Sequence, residues 1–223
     1  MTLIDEQHGA SATGGHHESV EDRDLKERIA LWLFIAGDGV FFLLQVFSWF
    51  YLKGLNVHGM WRGAACSVSA ACTLGDGSDL THIVPKAASW HSLTVAGLVI
   101  LSAACIWQAE VRARKEQNRG ETVAWVSLGL VTLIAGIAVL CLQFTALPFK
   151  TISGTYASVF IFFMGSVIAH LCLTLFIGLA VWNRLRRGSA NLKWQLQLRL
   201  ARVWWVWVAF SGAVLALVST YFA

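Results

Sequence analysis

Apolar residues run almost unbroken along five stretches of this chain, and the polar residues between them are gathered into charged interruptions. The stretches are Ile29–Leu52, Ala88–Val111, Thr122–Leu147, Thr155–Trp182 and Leu200–Phe222. Each exceeds the roughly 20 residues that an α-helix needs to cross a ~30 Å hydrocarbon slab. The pattern predicts an all-α integral membrane protein, a five-helix transmembrane bundle occupying residues 29–223. The preceding segment, "MTLIDEQHGASATGGHHESVEDRDLKER", is polar and acidic with Gly and Ser interspersed, and reads as a flexible tail over residues 1–28 that buries no core. At its end Asp24, with Glu27 three positions on, suggests a capping box opening the first helix. No basic n-region precedes the first apolar run, so that helix is expected to stay in the protein and not to be cleaved as a signal peptide.

Composition agrees with this reading, since 57% hydrophobic and 13% charged residues are too apolar a mixture for an ordinary soluble domain. The charges are sorted by loop. Thirteen of the seventeen Lys and Arg residues fall in the tail and in the second and fourth inter-helix segments, leaving only Lys53, Arg62, Lys86 and Lys150 on the other side. By the positive-inside rule the N-terminus is expected in the cytoplasm and the C-terminus outside. The net charge of +4 is then a product of topology, and no nucleic-acid surface is expected. Cys66 and Cys72 share the long outer loop and are a possible disulfide in an oxidising compartment. Cys105, Cys141 and Cys172 fall one to a helix, without metal-site spacing, and read as small packing residues. "FSWFYLK" at the end of helix one, and Trp204, Trp205 and Trp207 near the start of helix five, read as aromatic girdles at the two interfaces. Ser92 with Ala96, Gly165 with Ala169, and Gly212 with Ala216 have the spacing that lets helices approach closely in lipid, within the bundle or against a partner.

Candidate chemistry is confined to two side chains. Asp38, in "LFIAGDGVFF", lies nine residues beyond Ile29, about 14 Å into the helix. An ionised carboxylate at that depth is costly and is normally turned toward a partner or a wet cavity. His170 lies near mid-membrane in helix four, which runs opposite to helix one, so the two reach similar depths and a hydrogen-bonded Asp38–His170 pair is expected. Two roles stay open for it: a protonated carboxyl tying two helices together, or a proton- or lipid-related site. A bis-histidine haem needs two histidines at matched depth, and His91 sits at the outer start of helix two, so this chain is expected to bind neither haem nor another metal.

Two stretches resemble a known family. "LWLFIAGDGVFF" is similar to the first helix of the five-helix form of subunit III of haem–copper oxidases, where a Trp-Leu-Phe-Ile-like start leads to Ser-Glu-Val-x-Phe-Phe. Trp32, Phe34, Phe41 and Phe42 are in register, while Gly37, Asp38 and Gly39 replace Ser, Glu and Val. "GTYASVFIFFMGSVIAH" resembles the family's Tyr-Gly-Ser-x-Phe…Thr-Gly-x-His-x-x-His helix, with Tyr156, Ser158, Phe160, Gly165 and the second histidine, His170, in register and Val167 at the first. The resemblance covers about residues 25–223.

What it implies is an accessory subunit with no redox centre of its own, seated in a bacterial inner membrane against catalytic subunit I, with subunit II nearby. Haem and copper would belong to those partners. In that family the subunit supports sustained proton uptake and turnover, stabilises the catalytic subunit and holds phospholipid in a cleft, toward which Asp38 would face. The Gly-Asp pair is also similar to the branch associated with nitric oxide reductases, which gives the nearest alternative. A stand-alone proton or ion transporter built on Asp38 is a third reading. It would call for broken helices and several facing polar residues at the midplane.

Overall fold

A computed structural model of the chain describes residues 20–55, 61, 86–115, 119–151, 154–187 and 193–222. They form five α-helices, α1 (Val20–Gly54), α2 (Ser89–Arg114), α3 (Arg119–Thr145), α4 (Thr155–Arg187) and α5 (Lys193–Tyr221). All five are long and apolar enough to cross a membrane, and no strand occurs among the described residues. The candidate Cys66–Cys72 disulfide and residues 1–19 of the tail lie outside the described residues.

Several helices extend past their apolar runs. α1 begins at Val20 and not at Ile29, so "EDRDLKER" is helix and not tail, and Asp24 lies within the helix and does not cap it. Glu21 and Asp22 stand in its first turn, where acidic groups suit the positive end of the helix dipole, and Arg23 and Glu27 approach to 3.9 Å one turn apart. At the far end of α4, Arg184, Arg186 and Arg187 occupy the last turn, the favourable place for cations. Charged residues that interrupt hydropathy thus sustain helix beyond the hydrocarbon.

α1 and α5 lie side by side and run parallel. Phe34 meets Trp204 with ring centroids 5.2 Å apart, Phe42 meets Phe210 at 6.2 Å, and at their common end Lys53 Nζ donates to the Phe222 carbonyl at 2.5 Å. α4 runs antiparallel to both. Pairing of α2 with α3 makes an antiparallel hairpin, closed by Arg112 and Glu121 at 3.4 Å and by Gln143 Nε2 donating to Ser92 Oγ at 2.9 Å. α1 packs against α4 and α5; α4 packs against α1, α3 and α5, and α5 against α1, α2 and α4, which makes α4 and α5 the central pair.

That centrality corrects the expectation of a tryptophan girdle on α5. Trp204 and Trp205 are each 1% exposed, inside the bundle. Successive positions advance about 100° around a helix, so residues 204, 205 and 207 point to three different sides, and each indole N–H finds an acceptor on a different helix. Trp204 donates to Thr174 Oγ1 of α4 at 2.9 Å, Trp205 to Ser102 Oγ of α2 at 3.0 Å and Trp207 to Asp38 of α1 at 2.5 Å. At the other end, Trp49 is likewise buried, among Trp61, Tyr156 and Phe163; Phe47 and Tyr51 face outward as a belt would. Among the described cysteines, Cys105 is buried, while Cys141 and Cys172 are exposed.

Small residues act where the helices converge, though mostly not at the expected pairs. Gly165 and Gly212 have open space where a Cβ would stand. A Cβ on Gly178 would instead lie 2.6 Å from Leu130 Cδ2 and 2.9 Å from Trp205 Cη2. The leucine tip can move, but the buried indole cannot. Gly178→Ala is therefore expected to destabilise the protein by about 1–3 kcal/mol, and Gly165→Leu to leave the stability of the isolated chain nearly unchanged, as read from unfolding in detergent; equal effects of the two would contradict this packing.

Candidate functional site

Three helices converge on Asp38. It projects from α1 between Gly37 and Gly39, with the Trp207 ring at ordinary packing distance, 3.6 Å from where a Cβ on Gly39 would lie. Oδ2 accepts the Trp207 N–H at 2.5 Å. Oδ1 lies 2.8 Å from His170 Nε2 of α4. Both side chains are mostly buried, 14% exposed for the carboxyl and 19% for the imidazole.

The imidazole is fixed from three directions. Nδ1 lies 2.7 Å from the Ser166 carbonyl of the preceding turn, the ring stacks on Trp204 with 13° between planes, and Nε2 faces the carboxyl. Below it Thr174 Oγ1 donates to the His170 carbonyl at 2.6 Å and itself accepts from Trp204. A carbonyl only accepts, so Nδ1 carries a hydrogen. The Nε2–Oδ1 contact then holds one further hydrogen, on the imidazole or on the carboxyl, and the pair is neutral in either arrangement.

This arrangement responds unequally to gain and loss of a proton. Adding one yields an imidazolium beside a carboxylic acid, and Nε2–H can still donate to Oδ1. Removing the shared one sets a nitrogen lone pair against a carboxylate oxygen at 2.8 Å, which repels. The contact geometry thus calls for a hydrogen between Nε2 and Oδ1. Among the described residues no three His, Cys, Asp or Glu side chains converge, so the pair stands apart from any larger ligand set.

Other motif positions surround the pair at greater distance. Phe42 packs edge-on against Trp207, with centroids 5.9 Å apart, and Phe41 meets Phe162 of α4 at 6.1 Å. Tyr156 and Phe160 are buried near the start of α4, where the Tyr156 hydroxyl accepts from the Ala87 amide at 3.2 Å. Ser158 Oγ donates to the Thr151 carbonyl at 2.7 Å. Trp32 and Phe34 are largely exposed along α1, and Gly165 faces outward from α4. None of these seven polar or aromatic residues hydrogen-bonds the Asp38 carboxyl, whose partners are His170 and Trp207.

The sequence reading missed three polar residues and misplaced a fourth. Glu110, 2% exposed, accepts from Arg114 Nε at 2.8 Å and is ion-paired with Arg202 at 2.7 Å and Arg199 at 3.6 Å; it staples α2 to α5 at the basic end of the bundle. Arg114 at i+4, and the Arg199–Arg202 spacing of three, were the available signal. Trp207 was read as an interface residue. Gln45 and Gln143, 3% and 2% exposed, sit in apolar runs that hide an uncharged amide.

Replacing the carboxyl separates its hydrogen-bonding role from its proton. In Asp38→Asn the amide nitrogen can donate to a neutral His170 and the amide oxygen accept from Trp207, so stability is expected to stay near wild type. Asp38→Leu leaves both groups without a partner and is expected to cost about 1–3 kcal/mol for each. Unfolding in detergent with both variants checks this, and equal losses would refute the bonding pattern. Comparison with known proteins finds no family model and no curated protein that matches the chain.

Proposed function

We propose that the chain is an accessory, cofactor-free membrane subunit of a bacterial respiratory haem–copper terminal oxidase, similar to subunit III of that family. In this reading it lies in the inner membrane with its N-terminus in the cytoplasm and packs on the catalytic subunit, which carries haem and copper and reduces oxygen. Subunit II and membrane phospholipid complete its surroundings. One observation carries the proposal: the two stretches that hold the resemblance, "LWLFIAGDGVFF" and "GTYASVFIFFMGSVIAH", meet at a single hydrogen bond between Asp38 and His170.

The chemistry of that bond suits a subunit that sustains proton uptake without electron transfer. A neutral acid–base pair that accepts an extra proton while keeping its geometry can hold charge briefly inside a low-dielectric bundle. The exposed apolar face of α1, with Trp32, Leu33, Val40, Leu43 and Phe47 on it, and the open surface at Gly165 are where the partner would pack. Replacement of the Ser-Glu-Val segment by Gly37, Asp38 and Gly39 favours, as a second reading, an accessory subunit of nitric oxide reduction. An ion transporter built on Asp38 finds less support, since the five spans are continuous helices.

Gentle solubilisation of a tagged chain is expected to bring down a haem- and copper-bearing oxidase subunit, visible as haem bands in a reduced-minus-oxidised spectrum and by mass spectrometry. A nitric oxide reductase catalytic subunit would assign the second reading; a colourless, solitary chain would overturn both. Within the complex, Asp38→Asn is expected to preserve assembly and lower sustained turnover, and Gly165→Leu to weaken assembly on a native gel. Unchanged turnover in Asp38→Asn would remove the proton role.

A further inference from the structure

Beyond Asp38, toward the end at which α1 and α5 terminate, the bundle holds a partly open cavity of about 60 Å³ to which all five helices contribute. Its lining is mostly carbon, but polar groups recur along it: Asp38 and His170 at one side, then Gln45, Ser92, Gln143 and Ser219. Gln45 follows Asp38 by seven residues, about 10 Å along the same face of α1. Ser92 stands in the first turn of α2, and Gln143 and Ser219 in the last turns of α3 and α5. The polar lining therefore steps from the acid–base pair at mid-bundle to one end of it.

Two of these groups have no protein partner. Gln45 Nε2, a donor, and Gln143 Oε1, an acceptor, are buried without a hydrogen bond, although Gln143 Nε2 donates to Ser92. A buried amide left unpaired costs about 1–3 kcal/mol, and a carbon-lined site offers nothing in return. Complementary unpaired groups on one otherwise carbon-lined cavity, roomy enough for a few waters, point to a ligand that both donates and accepts.

We propose that this cavity binds water and is a proton-exchange path joining the Asp38–His170 pair to the end of the bundle where α1 and α5 terminate. Water accepts from Gln45, donates to Gln143, and reaches the Ser219 and Ser92 hydroxyls near the mouth. A proton passed along the waters converts the neutral pair to imidazolium and carboxylic acid, and its return restores the neutral pair. No other reactant is required. The path depends on the geometry of this chain and not on which catalytic subunit it accompanies. It opens the pair to the side opposite the basic cluster of Glu110, Arg114, Arg199 and Arg202.

Met164, 4% exposed, lines the same cavity and reports on it. Hydroxyl radicals formed from bound water oxidise a neighbouring thioether, whereas a dry core leaves it intact. The full chain in phosphatidylcholine bilayers, mixed with heavy-oxygen water and irradiated by an X-ray pulse, is expected to show Met164 oxidised at doses that oxidise exposed Tyr221, with the heavy isotope in the product. Gln45→Leu combined with Gln143→Leu is expected to lower that oxidation several-fold, and Gln143→Leu alone to lower it less. An unoxidised Met164 in the wild-type chain overturns the proposal, whatever the variants do. Oxidation equal in wild type and the double variant overturns the water site, and product carrying only light oxygen overturns the exchange path. Failure of the oxidase reading would show in co-purification and leave this measurement unaffected.

Discussion

Three indole N–H groups on one turn of α5 hold the bundle together. Water is absent from the hydrocarbon core, so helices there gain little from apolar contact with one another, and interhelical hydrogen bonds of about 0.6–2 kcal/mol become decisive for orientation. Trp204, Trp205 and Trp207 direct theirs to α4, α2 and α1. Each acceptor is itself committed: Thr174 to the His170 carbonyl, Ser102 to the Gly129 carbonyl, Asp38 to His170. The rotation of α5 about its own axis is thereby fixed, and with it the places of its three neighbours. Close approach at Gly178, against the Trp205 ring, is the steric counterpart of the same constraint.

The buried carboxyl is tolerated because this network reaches it. His170 is oriented by Ser166 and Trp204 before it meets Asp38, and Trp207 satisfies the second oxygen. Little freedom remains for either side chain, so changes at the site are confined to where hydrogens reside. The other buried carboxylate is handled differently. Glu110 lies within reach of three guanidinium groups near the helix ends, where the long arginine stems also bring water within range. Arg202 rests over the Trp107 ring, 4.8 Å from its centroid. One carboxyl group is surrounded by permanent charge, the other by an imidazole and an indole N–H.

Much of the fold was legible in the sequence because hydropathy and length alone define a membrane span. The five apolar runs mark the five helices, and depth arithmetic put Asp38 and His170 at similar levels, where the structure brings them to 2.8 Å. Helix ends were not legible, since charged residues halt a hydropathy run without halting a helix, as in "EDRDLKER" before Ile29. The role of the α5 tryptophans was hidden for a different reason. Aromatic residues near a basic helix start suit an interface belt and an interior hub equally well, and only the positions of Thr174, Ser102 and Asp38 on other helices distinguish them. Gln45 and Gln143 carry no charge to draw notice, and their unpaired atoms are a property of the packed bundle.

The parallel pairing of α1 with α5 has a consequence for how the protein is made. α1 is synthesised first, yet its neighbours in the bundle are α4 and α5, and Trp207 follows Asp38 by 169 residues. At about 5–20 residues per second of synthesis, roughly ten to thirty seconds separate the appearance of the carboxyl from that of its second donor. Throughout that interval α1 must wait in or beside the insertion machinery with an acid group lacking its final partners. The native bundle closes only when the last helix arrives, so biogenesis and completion of the Asp38 site coincide.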